Sequence, residues 1–403
     1  MKLIAERTHL LAALNAVGHL AKAKAKIPML AMLRLRTEGD RLFIAATDHD
    51  AYAEAEIPAV VSREGSACVE AAILARLVKD FAEGSQVSFD AGDALATLKA
   101  GRSRYQLHVL PAGDFPSAFE PNGATARFML MPEEVRRVLD LPCAAAAKSQ
   151  PALAYLEGVY LHTSEDDGTL WGAATDSYVL LAADVEAPEG AQDLPKRREA
   201  EGVRAARPRG LMLPAESVSH ILRLGEVPLE IHAGENVVAV RGATSGVKLH
   251  YVTRLIENIF PSYERVIPPA EGTCLTVAGD SFTAALKRLA SVAGSDERAV
   301  GLEWGEEGDL SLWLDNHSEG IYGAESAPIV ARTGPGRIGI RPAFALKAIE
   351  ALGRGTIEIW STAENKPIRL RNPDDPALVA VVWLQVLRRR PEQGALFGEG
   401  EAA

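Results

Sequence analysis

The chain has 403 residues, 43 basic and 54 acidic side chains, a formal net charge of −11 and 47% hydrophobic residues. That length predicts roughly two to four domains, each long enough to bury its own core, and the composition excludes wholesale disorder. The acidic balance excludes a basic coat over the whole molecule but leaves room for a local basic surface.

Cysteine usage and the N-terminal residues predict a cytoplasmic protein. Cys68, Cys143 and Cys274 are far apart and form no Cys-x-x-Cys motif, so they predict neither a disulfide framework nor a zinc site. Charge at Lys2 and Glu6 comes too early for the apolar core of a signal peptide. No apolar run approaches the ~18 residues of a membrane span, so we expect no membrane contact.

Six amphipathic segments of similar length predict helices. In each, apolar residues recur at or near i, i+3, i+4 and i+7, which places them on one helix face. Several begin with proline or with a residue that caps helices well. The predicted helices start near Thr8, Glu70, Pro132, Pro214, Asp280 and Pro342.

The spacing of these starts indicates an internal repeat with one insertion. Successive starts lie 62, 62, 82, 66 and 62 residues apart. The long interval contains a polar, charged stretch, which predicts an exposed insertion within residues 186–209.

The segments between the helices predict antiparallel strands. They alternate apolar and polar residues or are apolar throughout, and glycine and Asp-Gly turns separate them. Each repeated unit is therefore one helix followed by several strands. The clearest strand patterns are Arg41–Ala45, Gln86–Phe89, Leu229–His232 and Thr356–Trp360.

A longer repeat joins two units into a domain. Asp40–Asp48 is similar to Gly168–Asp176, and Asp309–Asn316 is a fainter third copy. The predicted fold class is α+β, with three similar domains in a row. Six equivalent units can curve into an arc, and two arcs can close a ring by symmetry, although an open array is the alternative. The predicted domains are 1–121, 125–268 and 272–387, followed by a flexible tail at 388–403.

Motifs that carry chemistry are weak in this sequence. Gly334–Gly339 matches G-x-G-x-x-G, but Pro335 removes an N–H and the residues after it predict a strand. Asp48-His49-Asp50 could hold a metal, although a polar turn is the favoured interpretation. We therefore expect no catalytic site, cofactor or metal; a metal-dependent enzyme on a repeated α+β scaffold is the alternative.

Basic residues recur on or beside the predicted helices. If equivalent helices face one way, these residues form one positive surface that binds phosphates without reading bases. Arg223 and Lys347 belong to the fourth and sixth helices. The other candidates are Lys22, Lys24, Lys26, Arg76, Lys79, Arg136, Arg137 and Lys287.

Several stretches carry a family resemblance. The most specific is Gly101–Tyr105 followed by Leu110–Pro116. Residues 1–11, Ile27–Leu30 with Thr47-Asp48, Ala174–Asp176 and Phe260–Pro268 add to it. Over about residues 1–387 the chain resembles the bacterial DNA polymerase III beta subunit, the sliding clamp, and the three-domain plan is that family's plan.

The resemblance implies a head-to-tail homodimeric ring that encircles duplex DNA and tethers the replicative polymerase. Such a clamp confers processivity in DNA replication, performs no chemistry and is opened by a separate clamp loader. Lys24 falls at a DNA-contacting loop of the family. Gln150 and Tyr155 fall near a second such loop, which Pro151 alters.

The resemblance also implies a pocket for partner peptides between the second and third domains. Its ligands would be Gln-x-x-Leu-Phe-type peptides of DNA polymerase III alpha and of other polymerases or repair proteins. Besides Asp176, the matching positions are Leu156, Thr175, Ser177, Tyr178, Val179, Leu180, Pro261, Arg265, Val266, Val381, Val382, Trp383, Leu384 and Gln385.

Two departures from the family pattern fall in this pocket. Ser177-Tyr178-Val179 replaces the usual Gly-His-Arg, and Trp383–Leu387 replaces a Met-Pro-Met-Arg-Leu-like strand. A clamp paralogue with specialised partners is therefore an alternative. Gln393–Phe397 in the tail is similar to the partner motif. A chance match and a tail that visits a pocket of the ring are both open interpretations.

Overall fold

A computed structural model describes residues 1–22, 26–123, 126–164, 168–195, 210–294, 298–316, 319–353, 355–363, 366–385 and 387. Lys24, most of the predicted insertion and the tail therefore lie outside the described residues.

The helices begin where the sequence pattern places them. Each predicted start lies within one residue of an observed one, and the third predicted helix is divided into two short α-helices. In the part of the chain that the structure describes, no helix is long and apolar enough to span a bilayer. The helices are α1 Arg7–Val17, α2 Ala71–Asp80, α3 Pro132–Val135, α4 Leu141–Cys143, α5 Ala215–Leu222, α6 Gly279–Ala290 and α7 Pro342–Leu352.

A π-helical turn over Arg136–Asp140 separates α3 from α4. At Gly172 a Cβ atom would collide with the carbonyl group of Val138 in this turn. The close approach of the two backbones therefore needs glycine at position 172.

The strands confirm the predicted α+β class, because every pairing whose register the structure describes is antiparallel. The strands are β1 Lys2–Glu6, β2 Met32–Glu38, β3 Arg41–Thr47, β4 Ala51–Pro58, β5 Val60–Arg63, β6 Gly65–Glu70, β7 Gln86–Ala91, β8 Leu95–Ala100, β9 Ser103–Leu110, β10 Ala126–Leu130, β11 Gly158–Thr163, β12 Thr169–Thr175, β13 Val179–Glu186, β14 Gly210–Pro214, β15 Leu229–Ala233, β16 Val237–Thr244, β17 Val247–Arg254, β18 Thr273–Ala278, β19 Val300–Trp304, β20 Leu310–Asn316, β21 Ile321–Ala327, β22 Ile329–Arg332, β23 Gly336–Ile340, β24 Thr356–Ser361, β25 Ile368–Asn372 and β26 Asp375–Val382.

The first compact unit comprises residues 1–136, 160–170 and 186–258. Its main sheet has the strand order β10-β15-β16-β17-β4-β3-β2-β6-β9-β8-β7-β1-β5. Helix α1 packs on β4 and on α2 through one apolar face. Leu14, Ile44 and Tyr52 are almost completely buried there, so the predicted amphipathic face is the face that meets the core.

The second compact unit comprises residues 137–159, 171–185 and 259 onwards. In it β12, β13, β26, β25, β24, β18 and β22 lie side by side in that order, and β21-β20-β19-β23 form a separate sheet. Helices α6 and α7 pack together and bury Phe282, Leu286 and Ala345.

The three copies of the longer repeat occupy equivalent strands. Arg41–Thr47, Thr169–Thr175 and Leu310–Asn316 form β3, β12 and β20, each of seven residues. The boundaries of the three predicted domains stay a prediction.

Candidate functional site

The first Thr-Asp turn follows β3 and is held by its own side chains. The Thr47 hydroxyl accepts a hydrogen bond from the His49 N–H at 3.2 Å. Asp48 Oδ1 accepts from the N–H groups of Asp50 and Ala51 at 3.1 and 2.8 Å. His49 has a positive φ of 80°, and Asp48 Oδ2 lies 3.2 Å from Lys22 Nζ. The carboxylate of Asp48 is therefore committed to the turn and to one lysine.

The second Thr-Asp turn, after β12, repeats these contacts. Thr175 accepts from the Ser177 N–H at 3.1 Å, and Asp176 Oδ1 accepts from Tyr178 and Val179 at 3.0 and 2.8 Å. Ser177 has a positive φ of 76°. Lys347 Nζ donates to Asp176 Oδ2 at 2.7 Å. The internal repeat thus extends to individual hydrogen bonds.

These contacts favour the polar-turn interpretation of Asp48-His49-Asp50 over a metal site. The described residues contain no group of three or more His, Cys, Asp or Glu side chains placed to hold a metal ion.

An aromatic cluster lies beside the second turn. The Tyr178 side chain is 51% exposed and stacks on Phe344 of α7, with ring centroids 5.0 Å apart and planes inclined by 14°. The Arg341 guanidinium carbon lies 5.3 Å from the Phe344 centroid and 5.9 Å from that of Tyr178. The cluster offers an exposed aromatic face with a positive charge at its edge.

The end of β26 completes this site. Strands β13 and β26 pair Val179 with Val382, and the Trp383 N–H donates to the Tyr178 carbonyl at 2.9 Å. With its oxygen toward Arg341, the Gln385 amide accepts hydrogen bonds from that guanidinium. We call Thr175–Val179, Arg341, Phe344 and Trp383–Gln385 the aromatic site.

Comparison with known proteins identifies the family. The family model of the DNA polymerase III beta subunit N-terminal domain matches residues 1–119, and that of the C-terminal domain matches residues 264–384. A beta sliding clamp of Caulobacter vibrioides is 30% identical over 95% of this chain and 99% of its own length. The chain belongs to the beta sliding clamp family.

Solved structures of clamps share the fold. A C. crescentus beta sliding clamp has a TM-score of 0.84 at 29% identity and covers 96% of this chain and 99% of its own. A Bartonella birtlesii clamp has a TM-score of 0.85 at 23% identity, with 96% and 100% covered.

The positions matched to the clamp pocket differ in exposure. Pro261, Arg265, Val266 and Ser177 are exposed, whereas Thr175 and Trp383–Gln385 are half-buried. The place of Pro261, Arg265, Val266 and Leu156 in a pocket stays a prediction. Five positions are buried and can line only the base of a pocket: Leu156, Val179, Leu180, Val381 and Val382.

Sequence reasoning missed the contribution of α7 to this site. Apolar periodicity does not point to Arg341 or Phe344, and Lys347, a candidate for the basic surface, binds Asp176 instead. An Arg-Pro-x-Phe sequence at a helix start could have been noticed, because the first turn of a helix projects side chains beyond its N-terminus.

The predicted DNA-binding residues differ in exposure and in ion pairing. Lys26, Arg76, Lys79, Arg136 and Lys287 are exposed and form no ion pair with another described residue. Gln150 is exposed and Tyr155 is half-buried. Lys22 is exposed but lies near Asp48 and Glu216, at 3.2 and 3.7 Å.

Arg137 is half-buried and is held by ion pairing and hydrogen bonds. Its two Nη atoms donate to the Asp375 carboxylate at 2.6 and 2.8 Å, and its Nε donates to the Asp184 carbonyl. These hydrogen bonds raise the pKa of Arg137 and lower the pKa of Asp375. Since the guanidinium is already bound, we leave Arg137 out of the proposed DNA surface.

Strands β9 and β21 present open edges, as do the shorter sheet-end strands β5, β22 and β23. β9 pairs with β8 along Ser103–His108 but meets β6 only at Val109 and Leu110. β21 is at the end of its sheet and pairs only with β20 among the described strands. The N–H of Val109 donates to the Ala94 carbonyl on the β8 side. Alternation along the strand then directs the N–H of Gln106 to the open edge.

Proposed function

We propose that this protein is a DNA sliding clamp, a homodimeric ring that encircles duplex DNA and tethers the replicative polymerase without catalysing a reaction. The observation that carries the proposal is the 30% identity to a beta sliding clamp over 95% of this chain and 99% of that clamp. In this proposal residues 1–121, 125–268 and 272–387 are the three clamp domains, the tail follows, and the protein works in the cytoplasm.

Head-to-tail dimerisation is supported by the open edges of β9 and β21, which are longer than the sheet-end strands β5, β22 and β23. An unpaired edge exposes N–H and C=O groups that another strand can pair with. In the proposed ring, β9 of each protomer pairs with β21 of the other, so all four open edges are covered. Each of the two interfaces joins different surfaces of the two copies, and the ring closes because a two-fold axis relates the copies.

Sequence-independent DNA binding is supported by exposed basic residues on several helices. The proposed phosphate contacts are made by Arg76 and Lys79 on α2, by Lys287 on α6 and by Arg136, together with Lys22, Lys24, Lys26, Gln150 and Tyr155. Because contacts to phosphates carry no sequence information, a surface that binds only phosphates permits sliding along any sequence.

Partner binding is assigned to the aromatic site together with Leu156, Leu180, Pro261, Arg265, Val266, Val381 and Val382. The solved C. crescentus clamp has polyethylene glycol bound to what is described as its "putative beta-motif tethering region". Here the exposed Tyr178 ring on Phe344 supplies an apolar platform for the Leu-Phe side chains of a peptide. The proposed partners are the clamp loader, polymerase III alpha and other polymerases or repair proteins.

Primer extension tests the proposal. A long, singly primed single-stranded circle is copied by the polymerase III core and clamp loader of the same source, with unprimed competitor DNA added after initiation. The proposal predicts full-length products only when this protein and the loader are both present. Equal product lengths with and without the protein would contradict it.

A further inference from the structure

The last described residues of the chain lie beside the aromatic site. After β26 the Gln385 N–H donates to the Gly339 carbonyl of β23 at 2.8 Å. A Cβ atom on Gly339 would overlap the Gln385 carbonyl and would approach Leu387 Cγ to 2.7 Å. Leu387 therefore packs against Gly339 of β23, and Gln385 contacts Arg341 of the site.

The sequence beyond Leu387 begins with Arg388-Arg389-Arg390 and then contains one apolar cluster among polar and acidic residues. Ala395-Leu396-Phe397 lies between Gly394 and Gly398, and the charges after the arginines are Glu392, Glu399 and Glu401. Burying a leucine and a phenylalanine side chain against an apolar surface is favourable, whereas leaving them in water gains nothing.

Reach and charge both match the aromatic site. Leu396 is nine residues beyond Leu387, a contour length of about 30 Å. Arg341 contacts both Gln385 and Tyr178, so the exposed ring lies close to the last described residues. The glutamates of the segment carry charge opposite to that of Arg341. The exposed Tyr178 ring offers the apolar surface that Leu396 and Phe397 lack in their own segment.

We propose that Glu392–Glu399 docks on the aromatic site of the same ring and competes with partner peptides. The inference rests on the proposed function only in assigning partner peptides to that site. A tethered segment has an effective concentration of about 1 mM. The apparent dissociation constant of a partner therefore rises by the factor 1 + c/K, where c is this effective concentration and K is the dissociation constant of the segment for the aromatic site. For a segment that binds at about 100 µM, competition is roughly tenfold.

The test is fluorescence anisotropy with a labelled synthetic peptide of the sequence of residues 392–399. It is titrated with the full chain, a chain ending at residue 387, the double variant Leu396→Ala/Phe397→Ala and a chain ending at residue 399. The proposal predicts that the chain ending at 387 and the double variant bind about tenfold more tightly than the full chain. The chain ending at 399 keeps the docking segment and is predicted to match the full chain.

The results separate the inference from the proposed function. Equal affinities of all four proteins for the peptide would overturn the docking of the tail and leave the site itself intact. Failure of the chain ending at 387 to bind the peptide would overturn both the site and the docking. Tyr178→Ala in the chain ending at 387 is predicted to weaken binding at least tenfold; unchanged binding would place the peptide elsewhere and contradict the proposal.

Discussion

Single residues show how similar positions in this chain acquire different roles. Arg136 and Arg137 are adjacent, yet one is exposed and the other binds Asp375 and a backbone carbonyl. The π-helical turn directs consecutive side chains to these different environments. Sequence reasoning treated both arginines as DNA contacts because a run of basic residues does not reveal which one meets a carboxylate from a distant strand.

This pair gives a matched prediction. Arg137→Ala leaves the carboxylate of Asp375 without its arginine and should lower the free energy of unfolding by roughly 2–4 kcal/mol. Arg136→Ala should change it by less than about 0.5 kcal/mol and should lower the salt dependence of DNA binding by about one phosphate contact. Denaturant unfolding and anisotropy on a short duplex at several salt concentrations measure both. A stability loss confined to Arg136→Ala would contradict these assignments.

His220 makes stability depend on pH. Burial, and secondarily the neighbouring His19, lower the pKa of His220 from 6.5 to about 4. Its ring centroid is 4.0 Å from that of His19, and its Nδ1 lies 3.3 Å from the Tyr251 hydroxyl. The folded state therefore holds the neutral ring, whereas the unfolded chain takes up a proton below about pH 6.5.

The sign follows from this difference. The stabilisation is complete above pH 6.5, is lost as pH falls toward 4 and changes little below that. Over this range the wild type should lose roughly 2–3 kcal/mol more than His220→Gln, whose side chain does not titrate. Denaturant unfolding of both proteins at several pH values measures the difference. Parallel pH profiles of the two proteins would rule out this role of His220.

At the scale of elements, most of the fold could be predicted from the sequence. Helix starts follow from apolar periodicity and, for α3 and α7, from proline at the first helical position. Thr8 and Asp280 lie inside α1 and α6, so they are not the capping residues that the sequence suggests. The repeated strands β3 and β12 end in two equivalent Thr-Asp turns. The π-helical turn could not be predicted, because one extra residue in a turn barely alters an apolar pattern. The α7 side of the aromatic site was missed for a similar reason: periodicity identifies the buried face of a helix, not what its first turn contacts.

The π-helical turn makes a prediction about glycine. Gly172→Ala places a Cβ atom on the Val138 carbonyl group, so it should destabilise the protein by about 1–3 kcal/mol or more. Gly18→Ala is the matched control, because no atom lies within 4 Å of its added Cβ and its φ of −64° suits alanine. Thermal unfolding compares the two variants. Equal midpoints would show that the turn can relax away from β12.

At the scale of the whole molecule, ring closure depends on strand edges and on topology. The repeat spacing and the resemblance together suggested a dimeric ring, but sequence alone did not show which strands stay unpaired. We propose β9 and β21 for the interface, since each lacks a partner along most of one edge in the described chain and each is longer than the sheet-end strands β5, β22 and β23.

Dimerisation gives the corresponding prediction. Gln106→Pro removes an N–H from the open edge of β9 and should leave the hydrogen bonds to β8 in place. We expect the wild type to sediment as a dimer and Gln106→Pro to dissociate at least tenfold more readily. Gln106→Thr, which keeps the N–H, should behave as the wild type. An unweakened dimer in Gln106→Pro would show that β9 is not the interface strand.

Topological retention on DNA tests the account most directly. The protein is loaded by a clamp loader and ATP onto a nicked circular plasmid, separated from free protein in high salt, and the plasmid is then cut once with a restriction enzyme. A ring that encircles duplex DNA stays on the circle in high salt and slides off after the cut. Equal dissociation from circular and linear DNA would mean that the protein is held by charge alone, and would contradict a sliding clamp.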